Sequence, residues 1–97
     1  MHPAARTFQA LRILVNRELA NLENLLRVLP GCLKPRGMAA IISFHSGEDR
    51  RVKQAFREGF REGIYVEVSE EPIVATEEEI GRNPRSRSAK LRWARRA

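Results

Sequence analysis

The run Ile41-Ile42-Ser43-Phe44-His45-Ser46-Gly47-Glu48-Asp49-Arg50 passes from an apolar strand into a charged helix start through a few small polar residues. That junction is a strand-to-helix crossing of an α/β fold. Ligands of open α/β sheets bind outside the carboxyl ends of the strands, so His45, Ser43 and Ser46 stand where such folds place their chemistry. The junction by itself names no reaction.

The pattern on either side extends this reading. From Phe8, the positions Leu11, Val15, Leu19, Leu22, Leu26 and Leu29 recur at spacings of three and four, which predicts a long amphipathic helix with Thr7 as N-cap and Pro30-Gly31 as stop. Lys34-Pro35-Arg36-Gly37 is a turn. Met38–Phe44 is continuously apolar, the habit of a strand covered on both faces in a parallel sheet. Ser46-Gly47-Glu48-Asp49 reads as a capping box at the start of a second helix. Its inward stripe is Val52, Ala55, Phe56 and Phe60, with Arg50, Arg51, Lys53, Arg57 and Arg61 facing out and an end at Gly59 or Gly63.

Ile64–Val68 is β-branched and partly alternating, hence a strand. Pro72-Ile73-Val74 begins an extended connector, and Thr76-Glu77-Glu78-Glu79 caps a short helix that Gly81 and Asn83-Pro84 end. Ala89–Arg95 alternates basic with apolar residues, the pattern of a half-exposed strand. The layout is helix, strand, helix, strand, short helix, strand, an α/β class.

Length limits what this layout can be. A chain of 97 residues is one domain at most and buries roughly 60–65% of the surface its unfolded chain exposes. A complete doubly wound enzyme needs more units, so an α/β reading implies a partner or further sequence. Cys32, the one cysteine, leaves no intrachain disulfide and reads as a small buried hydrophobe at a helix end. The start, Met1–Arg6, has no apolar h-region and no apolar run approaches a membrane span, so a cytoplasmic location is expected.

Charge is localised. Residues 82–97 carry seven basic side chains and no acid, Arg82, Arg85, Arg87, Lys90, Arg92, Arg95 and Arg96, whereas the remainder balances 11 basic against 12 acidic groups. A basic block holding one aromatic, Trp93, suits contact with nucleic-acid phosphates. A solvated terminus is the competing reading of the same composition. Glycines are scattered rather than gathered into a nucleotide loop, and no His/Cys cluster has metal-ligand spacing, so no metal is expected. No acid or base is placed to complete a triad with His45 and Ser43 or Ser46.

Three blocks then carry a resemblance. His2–Ile13 with Asn16 and Glu18, Ile42–Arg50 with Val52-Lys53, and Asn83-Pro84-Arg85-Ser86-Arg87-Ser88-Ala89-Lys90-Leu91-Arg92 resemble, in residues, order and spacing, the C-terminal portion of the bacterial ribosomal RNA small-subunit methyltransferase H family. Departures are Gly47 where the family usually has Leu, Arg36-Gly37 where it has a Gly-Gly turn, and the acidic run to Glu71 where a basic segment is common.

The resemblance implies a class I, Rossmann-like methyltransferase that moves a methyl group from S-adenosylmethionine to N4 of a cytidine in small-subunit rRNA. It implies that this chain supplies the last three strands, with Ala89–Arg95 antiparallel between Met38–Phe44 and Ile64–Val68. The S-adenosylmethionine site would lie in the N-terminal half, which leaves this chain inactive alone. Thr7, Phe8, Gln9, Arg12, His45 and Ser46 would flank the target-base pocket, against a purely structural reading of Phe8 and His45. The segment 82–97 would be the RNA contact. The opposing reading is a free-standing basic RNA-binding or ribosome-associated module.

Overall fold

A computed structural model describes the backbone of residues 3–97 and the side chains of residues 17–97. The elements are α1 (Pro3–Cys32), β1 (Met38–Ser43), α2 (Ser46–Arg61), β2 (Tyr65–Val68), β3 (Ile73–Val74), α3 (Glu77–Arg82), a 3-10 turn (Pro84–Ser88) and β4 (Lys90–Arg96). β4 lies between β1 and β2 and is antiparallel to both, as the family resemblance implied. The connector expected at Pro72–Val74 contributes a two-residue strand, β3, to the same partner.

The core sits between one face of this sheet and the two long helices. Leu26 of α1, Val52 and Phe56 of α2, Tyr65 of β2 and Ala94 of β4 form one buried cluster, with Leu22, Leu29, Ile41 and Val68 packed around it. Phe56 and Tyr65 meet edge to face at 5.6 Å, a geometry favoured by the ring quadrupoles. Phe60, expected on this inward face, is 52% exposed. Gly59 takes its place against the sheet, because a Cβ there would run into the Tyr65 ring.

Several expectations change here. α1 begins at Pro3, so Thr7 lies inside it, and it runs through Pro30 to Cys32. Pro3 has the preset φ and dispensable N–H suited to a helix start. Pro30 falls in the last turn, where it offers no N–H to the Leu26 carbonyl, and the helix ends two residues later. Cys32 is exposed, not buried. α2 ends at Arg61 in a Schellman motif: Ile64 N–H donates to Gly59 C=O at 2.8 Å and Gly63 N–H to Phe60 C=O at 3.1 Å, with Gly63 at φ 80°. The Lys34–Gly37 turn closes at 2.8 Å and holds Arg36 at φ 67°, the left-handed position for which type II turns prefer glycine.

β1 is covered on one face only. Ala39 and Ser43 are buried under α2, while Met38, Ile42 and Phe44 on the opposite face are about half exposed. The continuous apolar run therefore reflects two apolar faces, of which this chain covers one. Its sheet partner β4 is antiparallel, not parallel.

Candidate functional site

The carboxyl end of β1 and the amino end of β4 meet, because the antiparallel register pairs Ser43 with Lys90. This pairing brings the His45-Ser46 turn and the Asn83–Lys90 segment, some forty residues apart in the chain, to one end of the sheet. Ser43 is 3% exposed, so the turn beyond it carries the accessible groups.

That turn is organised one residue earlier than the capping-box reading expects. His45, not Ser46, is the N-cap of α2: its Nδ1 accepts the Glu48 N–H at 3.3 Å. Glu48 Oε1 in return accepts the Phe44 N–H at 3.2 Å and lies 3.4 Å from His45 Nε2. An accepting Nδ1 requires the imidazole proton on Nε2, so the carboxylate and the cap together select one tautomer. Ser46 is the first helical residue and is exposed. The short helix α3 keeps its expected cap, with Thr76 Oγ1 accepting from Glu79 N–H at 3.2 Å.

Asp49 is released from capping because Arg92 needs it. Arg92 Nε and Nη2 donate to the two Asp49 carboxylate oxygens at 2.7 and 3.1 Å, and both residues are buried. The bond to Arg92 holds the Asp49 carboxyl below its ordinary range against the opposing effect of burial, with added pull from Lys90 and Lys53. Arg92 was expected to contact RNA. Buried and bidentate, it presents no charge to solvent; it ties the start of α2 to β4.

The remaining tail cations divide by their partners. Arg96 donates to the Pro30 and Ile64 carbonyls, both at 3.2 Å, and so fastens β4 to the end of α1. Arg95 Nε lies 3.3 Å from Glu67, and Arg82 lies 3.5 Å from Glu78 on the exposed face of α3. Arg85, Arg87 and Lys90 have no carboxylate within 4.0 Å among the described residues. Arg85 and Arg87 project from the 3-10 turn, which Ser86 stiffens by donating to Asn83 C=O at 2.7 Å. Thr7, Phe8, Gln9 and Arg12 lie on the α1 backbone, and their side chains fall outside the described residues.

Gly47 stands alone, Glu48 is spent on Phe44 and His45, and Asp49 is neutralised by Arg92. Two grooves lie away from this turn, one of about 390 Å³ between α1 and α2 and another of about 700 Å³ between α2 and β2. No helix among the described residues is long and apolar enough to cross a membrane.

A sheet whose last strand lies antiparallel between β1 and β2, with cations gathered at a strand end, is the closing part of a Rossmann-like methyltransferase sheet. The chain belongs to the MraW methylase family, whose pattern it matches over residues 1–97. It is 58% identical over 96 residues to a protein of Koribacter versatilis and 57% identical over 94 residues to one of Acidobacterium capsulatum, covering 99% and 97% of this chain. A Synechococcus sp. (strain CC9311) protein is 60% identical over 96 residues, again 99% of this chain. All three are named "Ribosomal RNA small subunit methyltransferase H". The chain spans 30–32% of their length and corresponds to their C-terminal part.

Proposed function

We propose that this chain is the closing segment of an enzyme that transfers a methyl group from S-adenosylmethionine to N4 of a cytidine in small-subunit rRNA, acting in the cytoplasm. The observation that carries the proposal is the Ser43 to Lys90 register, which unites two of the three family-like blocks at one strand end. Within it, Asp49–Arg92 fixes the turn, and His45 and Ser46 border the target base together with Thr7, Phe8, Gln9 and Arg12 of α1. Arg85, Arg87 and Lys90 hold RNA phosphates. Counterion release then supplies much of the affinity.

In this reading S-adenosylmethionine binds outside the segment, in the part of the relatives that precedes it, and supplies the transferred methyl group. Titration calorimetry tests this. The 97-residue chain should show no micromolar binding of S-adenosylmethionine, while the same segment joined in frame behind the preceding two thirds of a relative should show it. Micromolar binding by the isolated chain would overturn the assignment.

A further inference from the structure

α2 carries a row of four cations that the strand-end site does not use. Arg50, Lys53, Arg57 and Arg61 fall at i, i+3, i+7 and i+11, which at about 100° per residue places them within an arc of about 80° and along about 16 Å of helix. The row is exposed at Arg50, Arg57 and Arg61 and half-buried at Lys53. These side chains, with Gln54 and Glu58, line a shallow groove of about 440 Å³.

A cationic face on a helix is ordinarily balanced by acids one turn away. Here the neighbours four residues along are like charges, Lys53 to Arg57 and Arg57 to Arg61. The acid that could relieve Lys53, Asp49, is held by Arg92. Glu58 accepts from Gln54 at 3.3 Å instead, and Arg51, which does find a carboxylate in Glu23 at 2.8 Å, lies off the row. None of the four has a carboxylate within 4.0 Å among the described residues. With like charges at i+4 and no paired carboxylate, the row is suited to an anion from outside the chain.

The geometry points to this row as a second RNA contact, a rail that receives the phosphates of a single strand leaving the strand-end site. Its near end adjoins that site, since Arg50 lies four residues after Ser46, where α2 leaves the strand-end turn. Its far end is bounded by Glu67, Glu70 and Glu71 across the groove beyond Arg57 and Arg61, which sets a limit to the path of a polyanion. The inference rests on the rRNA reading above and assigns it a direction of approach along α2.

The test is the salt dependence of binding of the full 97-residue chain to a short single-stranded RNA of mixed sequence. Changing Arg50, Lys53, Arg57 and Arg61 together to Gln, which keeps helix propensity, should reduce the slope of log affinity against log salt by about two to three. If that variant loses its helical circular dichroism, Arg57→Gln with Arg61→Gln alone should reduce the slope by about one. The strand-end variant, Arg85→Gln, Arg87→Gln and Lys90→Gln, reports separately on the reading beneath. A reduced slope in the strand-end variant with the parent slope in both α2 variants overturns the rail and leaves that reading standing. Absence of salt-dependent RNA binding by the parent overturns both.

Discussion

Asp49 and Arg92, 43 residues apart, join the first turn of α2 to the middle of β4 through two hydrogen bonds of 2.7 and 3.1 Å. Both are buried, at 8% and 5% exposure, so neither charge has water to fall back on. A pair of this kind adds little against a well-packed apolar replacement, but losing one partner leaves a bare buried charge. It fixes where α2 starts relative to the strand end.

Removing one partner should therefore be costly and pH-dependent. Arg92 lowers the Asp49 pKa from 3.8, so the stability it contributes is present above that value and lost as pH falls through the lowered one. Asp49→Asn should destabilise the fold by about 3–5 kcal/mol at neutral pH and abolish the part of the acid limb below about pH 4 that this group causes. Urea denaturation across pH checks it. An Asn variant with the parent's midpoint and acid limb contradicts the account.

Gly59 within α2 and Gly63 just beyond its end should respond differently to alanine. At Gly59 the added Cβ meets the Tyr65 ring, an overpacking that costs about 1–3 kcal/mol. At Gly63 there is open space but φ is 80°, so Gly63→Ala should cost about 1 kcal/mol of backbone strain. Thermal melts resolve the two, and only Gly59→Ala should also change the near-ultraviolet signal of Tyr65.

His45 should separate capping from site chemistry. His45→Ala removes the acceptor for Glu48 N–H and should cost about 1 kcal/mol. His45→Asn restores the cap without the imidazole, so in a full-length enzyme it should keep the parent's melting temperature while turnover on ribosomal subunits falls. Equal turnover in the parent and the Asn variant would make His45 a cap and nothing more.

Periodicity made the helices legible: Leu22, Leu26, Val52 and Phe56 lie in or against the core as their spacing implies. Thr76 caps α3 as its motif implies, because its hydroxyl can accept the Glu79 N–H and the three glutamates suit the positive end of the helix dipole. The His45 cap is not legible in the sequence because Ser46 is a stronger cap former by type, and only the pairing of Asp49 with a distant arginine shows why the motif shifts by one residue. The burial of Arg92 is hidden for a related reason. Alternation in Lys90–Arg96 separates two faces without saying which is inward, and here Arg92 and Ala94 are buried while Leu91 and Trp93 are partly covered. The place of β4 between β1 and β2 came from the family resemblance, since strand order is a property of long-range pairing that no local pattern carries.

Methyl transfer from labelled S-adenosylmethionine to small ribosomal subunits, followed by nucleoside analysis of the rRNA, tests the central claim most directly. With the segment joined behind the preceding two thirds of the Koribacter versatilis relative, the label should appear as N4-methylcytidine, and with the 97-residue chain alone no label should be transferred. Label on another nucleoside, or transfer by the chain alone, would contradict the assignment.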